Sequence, residues 1–141
     1  MKLLTFQAAR FAWRPHRRTL PGPGDLPDAG SVEDAVVVFL HAEAKDFEPE
    51  GRARAIRHAA KHVQWLANKR GLRNVVLHSF THLGAEPGRD GGAAEAESLL
   101  ADLRARLEAK GYAVGATPYG FTCAWTLEVY GESLAKVWKE I

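Results

Sequence analysis

At 141 residues, 46% hydrophobic and 26% charged, the chain has the size and balance of one globular domain that buries its own core. A net charge of +2 is too small to imply nucleic acid by itself, and the single cysteine excludes an internal disulfide. With no signal-peptide core at its start and no apolar run of membrane-spanning length, the sequence predicts a cytoplasmic protein that meets no membrane.

Lys2 to Arg14 carries Leu4 and Phe6, then Phe11 and Trp13, at period two, which predicts a bent strand or a strand pair. Arg14 to Gly30 holds four of the seven prolines and predicts a loop. Its front end, Arg14, His16, Arg17 and Arg18, is a basic cluster that reads either as solvated surface or as a phosphate contact. Val32 to His41 contains AVVVFL, the continuous β-branched run of a strand covered on both faces. Pro49 and Gly71 bracket a helix with an apolar stripe of Ile56, Ala59, Ala60, Val63, Leu66 and Ala67. Its Arg54, Arg57, His58 and Lys61 face reads as solvated surface ahead of an RNA-binding face, and His58 and His62 read as solvent-facing.

Asn74 to Ser79 predicts the next strand, followed by a loop through Gly84, Pro87, Gly88, Gly91 and Gly92. A second helix follows, with Ala96, Leu99, Leu100, Leu103 and Leu107 inward and Gly111 closing it. Tyr112 to Ala116 and Phe121 to Tyr130 predict strands joined through Thr117 to Gly120. Glu132 to Ile141 predicts a terminal helix with Leu134, Val137 and Trp138 inward. Two strand–helix–strand crossovers imply a partly parallel sheet with both helices on one face, and the remaining strands then cover the other face or form a second sheet.

Three groups of residues bear chemistry. His78 and His82 are four apart, a metal-ligand spacing on a helix. This segment, however, leaves a strand, and only Cys123 offers a third ligand, so no metal is expected. Cys123 with His82 has the elements of a nucleophile–base pair. No cysteine-hydrolase signature surrounds it, and a small apolar residue on a strand is the simpler account. The turn Pro118-Tyr119-Gly120-Phe121 offers main-chain N–H groups and aromatic flanks suited to a ribose or a polarised carbonyl.

SFTHLG at Ser79 to Gly84, KGYAVGATPYGF at Lys110 to Phe121 and GESLA at Gly131 to Ala135 together resemble the N-terminal editing domain of archaeal-type threonyl-tRNA synthetase. KLLTFQ and VVVFLHAE fall where that domain has its first strands, and the likeness runs over residues 1–141. It implies an α/β protein of three-layer α/β/β D-aminoacyl-tRNA deacylase-like fold, with mixed sheets and two crossover helices on one face. It further implies a freestanding homodimeric domain that hydrolyses seryl-tRNA(Thr) or D-aminoacyl-tRNA through an activated water. No cofactor is implied; the partners are the aminoacyl-tRNA 3′ end and a threonyl-tRNA synthetase.

Carried over by residue, the resemblance places Ala42, Glu43, Phe80, Thr81, Tyr119, Gly120 and Phe121 against the substrate. Catalysis falls to His82, Cys123 and Lys136, and RNA binding to Arg14, Arg17 and Arg18. Cys123 stands where the family has a lysine, and Lys136 where it has an acidic residue. The polar pocket residues of the first strand are replaced by Phe6, Gln7 and Ala8. The competing reading is a silent relative that keeps the fold to bind a nucleotide, a tRNA or a protein.

Overall fold

The computed structural model describes residues 1–84 and 92–141. In chain order it contains β1 (Lys2–Arg18), β2 (Gly30–His41), α1 (Pro49–Asn68), β3 (Asn74–Ser79), α2 (Ala93–Glu108), β4 (Ala113–Ala116), β5 (Phe121–Val129) and β6 (Lys136–Glu140). Short 3-10 turns lie at Ala44–Asp46, Thr81–Leu83 and Ser133–Ala135. The strands form one mixed sheet in the order β4-β3-β2-β1-β5, and β6 also pairs with β1. β2, β3 and β4 run parallel, joined by the crossovers through α1 and α2. β1 is antiparallel to β2, β5 and β6.

Both helices lie on one face. Leu3, Val36, Val38, Leu40, Val75, Leu77 and Val114 meet Ala59, Val63 and Leu66 of α1 and Leu99, Leu103 and Leu107 of α2, all buried. The opposite face is aromatic: Phe11, Phe39, Ala35, Val37 and Val76, with Phe6, Trp13 and Phe80 packed against them. Thus AVVVFL is buried along its whole length because each face of β2 has its own cover.

A bend in β1 makes that second cover. Phe39 pairs with Leu4, and Trp125 pairs with Trp13, nine residues further along β1. A straight strand would separate these pairs by about 30 Å, yet the Phe39 and Trp125 ring centroids are 5.3 Å apart. The register slips between Ala8 and Arg10, and a bulge there turns the strand. The far half of β1, with β5, folds back over β2 and β3. Three layers therefore come from two helices and a single folded sheet.

Three expectations are corrected. The segment from Arg14 is strand as far as Arg18, because β5 pairs with it and Pro15 sits where β2 has already left the other edge, at a register slip that tolerates proline. The terminal helix is absent: Ser133–Ala135 is a 3-10 turn and Lys136–Glu140 is strand. The edge of β1 beyond β5 was open, and a ladder along Lys2 to Phe6 outweighs the weak helix preference of so short a segment. Of its three supposedly inward residues, Leu134 and Trp138 are 44% and 49% exposed. Lastly, His62 is buried, bonded through Nε2 to Thr5 Oγ1 at 3.0 Å, whereas His58 is exposed as expected.

α1 starts at Pro49, and Leu99, Leu103 and Leu107 line α2 as the periodicity predicted. Pro87, Gly88 and Gly91 of the expected loop lie outside the described residues. No helix among the described residues is long and apolar enough to cross a membrane.

Candidate functional site

The parallel strands β2, β3 and β4 all end on one edge of the sheet, where open α/β sheets hold ligands. A cavity of about 900 Å³ lies there, walled by His41–Ala44, His78–His82, Thr117–Cys123, Trp125, Lys2, Thr19, Leu20 and the start of α2. The fold-back of β1 and β5 supplies its far wall, since Phe121, Cys123 and Trp125 all belong to β5.

One wall is polar: its Glu43 carboxylate is ion-paired, while His41 Nδ1 is buried without a partner among the described residues. Burial alone would raise the Glu43 pKa, but the Met1 ammonium at 2.7 Å and Lys45 at 3.3 Å hold it down to about 2. Lys2 lies 3.4 Å from the same carboxylate. His41 is 5% exposed, and burial lowers its pKa ahead of the opposing effect of Glu43. Its ring packs on Gly84, where a Cβ would come within 2.7 Å of Cε1. Only glycine lets the Thr81–Leu83 turn lie this close to β2.

The turn into β5 is set by Gly120, at φ +78°. The Gly120 carbonyl accepts from Thr19 N–H at 2.7 Å, so the segment after β1 is tied back onto the site. The amides of Tyr119 and Gly120 make no hydrogen bond among the described residues. Burial, then Glu97 and Glu95, raise the Tyr119 pKa, which keeps the phenol protonated.

The third wall is aromatic. Phe39 sits at its base, 4.7 Å from His78, 5.2 Å from Phe80 and 5.3 Å from Trp125, between ring centroids. His78 Nδ1 is bonded to Thr117 Oγ1 at 2.8 Å, and burial pushes its pKa down to about 4. The imidazole is therefore neutral at pH 7.

The structure brings most of the expected site together. Ala42, Glu43, Phe80, Thr81, His82, Tyr119, Gly120, Phe121 and Cys123 all line this one cavity. His82 is the exposed histidine of the lining, beside Phe80. The Cys123 thiol is half-buried, and burial raises its pKa. Lys136 lies outside the lining, with its ammonium 3.4 Å from Tyr130 O. Phe6, Gln7 and Ala8 also lie outside it; Gln7 Nε2 instead donates to Leu66 O at 2.7 Å, near the end of α1. Arg14 and Arg17 are exposed on β1. Arg18 is committed, donating to Pro23 O and Gly24 O and stacking 4.6 Å from the Phe121 ring centroid.

His41, Thr117, Trp125 and Leu20 were not anticipated as lining residues. Trp125 had a signal, since it alternates with Cys123 on one strand face. Leu20 had none, because its place depends on a tertiary contact with Gly120. Among the described residues no three His, Cys, Asp or Glu side chains form a metal site.

The model of the archaea-specific editing domain of threonyl-tRNA synthetase matches residues 1–141. Threonine–tRNA ligase of Pyrobaculum arsenaticum is 31% identical over 137 residues, covering 97% of this chain and 22% of the ligase. That of Thermofilum pendens is 27% identical and covers 100% of this chain and 22% of the ligase. The chain thus spans about a fifth of these curated relatives. A solved c-Myc DNA Unwinding Element Binding Protein superposes with a TM-score of 0.64 at 12% identity, covering 100% of this chain and 99% of that one. This likeness bears on the fold alone, which is of the D-aminoacyl-tRNA deacylase-like kind.

Proposed function

Because the chain belongs to the family of archaea-specific editing domains of threonyl-tRNA synthetase, we propose that it hydrolyses the ester of misacylated tRNA, seryl-tRNA(Thr) or a D-aminoacyl-tRNA. The observation that carries this reading is the Tyr119–Gly120 turn, whose amides make no hydrogen bond among the described residues, on a cavity shared with His82 and Phe80. Such donors meet the charge that develops on the ester oxygen, and they need no reorganisation. Among the described lining residues the Lys or Arg side chain is Lys2, which is already paired with Glu43; the reading therefore gives this task to the backbone.

In the proposed step a water adds to the ester carbon and the C–O bond to the ribose breaks. The departing ribose oxygen takes up the proton that the water gives up. In this route the neighbouring 2′-hydroxyl assists that water, and His82 lines the same cavity. The need for a separate site follows from chemistry: serine lacks one methyl of threonine, a difference that packing discriminates by only about 1–3 kcal/mol. The domain would act alongside a threonyl-tRNA synthetase.

The test is release of amino acid from a panel of L- and D-aminoacyl-tRNAs, with seryl-tRNA(Thr) cleaved well ahead of threonyl-tRNA(Thr). Release from none of them would favour the second reading, a silent binding module, which is supported by the resemblance placing Cys123 where the family has a lysine. For the RNA body, Arg14 and Arg17 are exposed while Arg18 is tied to its own loop. Alanine at Arg14 and Arg17 should flatten the salt dependence of tRNA binding by about 0.7–0.9 in slope for each phosphate left without its arginine; an unchanged slope would remove them from the interface. A homodimer is part of the same proposal. It is supported by Trp138, 49% exposed on β6, and light scattering at micromolar concentration tests it.

A further inference from the structure

One side of the cavity is aromatic, formed by Phe80, Phe121 and Trp125. Trp125 lines it while remaining 45% exposed, a large apolar surface left facing a cleft. Its ring is held edge-on by Phe39, at 79° between planes, and Phe39 is 3% exposed. The indole is thus fixed by a buried neighbour, with much of its surface uncovered. Phe80 is held against the same ring at 5.2 Å and is half-buried.

A second observation is independent of the first. His78 is 6% exposed and lines the cavity. Its Nδ1 is satisfied by Thr117 Oγ1, whereas its Nε2 makes no hydrogen bond among the described residues. That atom is not one of the buried side-chain atoms without a partner among the described residues, so it is open to the cavity and within reach of a ligand's polar edge. Because burial keeps the ring neutral at pH 7, a charged group gains little there. An uncharged group with a hydrogen-bonding edge and a flat face suits both features.

We propose that Trp125, Phe80 and His78 form a second nucleobase subsite, which takes the nucleotide preceding the terminal adenosine of the tRNA. This rests on the deacylase reading above, which places the terminal aminoacyl-adenosine along Ala42, Glu43 and the Tyr119–Phe121 turn. Aromatic faces bind successive bases of a single strand by stacking, whatever the sequence. The indole supplies the stacking surface, and the imidazole Nε2 meets the polar edge of the base. Substrate length, and not only the amino acid, then sets affinity: a single aminoacyl-nucleoside fills part of the cavity, and a longer 3′ end fills the rest.

Two non-hydrolysable probes test this. One is 3′-(serylamino)-3′-deoxyadenosine, and the other carries the same group at the end of a CA dinucleotide. Calorimetry on the wild-type protein should show the dinucleotide binding about 5- to 150-fold more tightly, the range expected for stacking one base. The ratio of the two affinities should fall towards one in Trp125→Ala and be largely restored in Trp125→Phe, which keeps a flat ring. His78→Phe should lower the ratio by a smaller factor, since it keeps the ring and removes the hydrogen bond. A wild-type ratio near one, or a ratio that Trp125→Ala leaves intact, would overturn the subsite while the single nucleoside still binds. If the wild type binds neither probe, the deacylase reading falls and takes the subsite with it.

Discussion

The two faces of the folded sheet differ in what fills them. The helix face is closed by aliphatic side chains, with Leu66, Leu99, Leu103 and Leu107 at 0% exposure. The opposite face is filled by rings, Phe11, Phe39 and His78, and it gives way at one end to the half-exposed Phe80 and Trp125. Leucine and valine pack to crystal-like density and leave no room. Phe39 meets Trp125 edge to face at 5.3 Å and Phe80 at a tilt at 5.2 Å, and both of these outer rings border the cavity. The first face holds the molecule together, and the second carries the open site.

If that division is right, damage to the two faces should have different signatures. The largest expected effect is on the helix side. Leu103→Ala removes a fully buried side chain between α2 and the sheet and should cost about 2–5 kcal/mol of stability, read from the urea midpoint at constant slope. Binding of the single-nucleoside probe, measured well below the lowered melting temperature, should survive. Loss of both together would mean that the faces are not separable.

The next effect belongs to the ring face and depends on pH. His78 titrates near 6.5 when unfolded and about 4 when folded, so between these values the unfolded chain binds more protons. Stability must then rise with pH across that window and fall as the pH drops through it. The shift corresponds to about 3 kcal/mol lost by pH 4. His41 and His62, also lowered by burial, add to the same acid limb. Glu43 works in a separate window, from 4.5 down to about 2, where its ion pairs are lost. Denaturant titrations at pH 7, 5.5 and 4 should show the limb in the wild type and a shallower one in His78→Phe. An identical limb in both would mean that His78 is not buried as described.

The same contrast explains what the sequence made legible. AVVVFL, the leucine stripe of α2 and the bracket of Pro49 and Gly71 are local periodic signals, and the elements they predict are present. The cavity residues could be read because His82, Tyr119 and Gly120 sit at strand ends, and parallel crossovers bring strand ends together. What failed depended on pairing at a distance. Lys136–Glu140 became strand because β1 offered an open edge, and Lys136 was thereby carried away from the site. The basic cluster became strand because β5 paired with it. His62 reads as solvent-facing in the sequence because its buried partner, Thr5, lies 57 residues away. The bend in β1, which makes the far wall, showed only as an interrupted alternation around Ala8 to Arg10.

The smallest expected effect is at Cys123, the residue that the sequence made most conspicuous. It lies on the cavity wall where the resemblance places a lysine, which invites a thiol mechanism. The attacking species in such a mechanism is the thiolate, and here burial raises the thiol pKa. No hydrogen bond joins Cys123 to His82 or His78 among the described residues. At neutral pH the group is a protonated, half-buried sulfur without an activating base. The proposed water route, in which the Tyr119 and Gly120 amides meet the developing oxyanion, does not need it, so Cys123→Ala should retain deacylation to within roughly tenfold, well short of the 10²–10³-fold loss typical when an oxyanion donor is removed. Cys123→Lys brings a cation to the same wall and should raise the rate by adding charge at the developing oxyanion. Single-turnover assays on seryl-tRNA(Thr) with the three proteins would rank them lysine, cysteine, alanine. A covalent aminoacyl adduct trapped on Cys123, together with complete loss in the alanine variant, would replace the water route with thiol catalysis and make this small effect the largest of all.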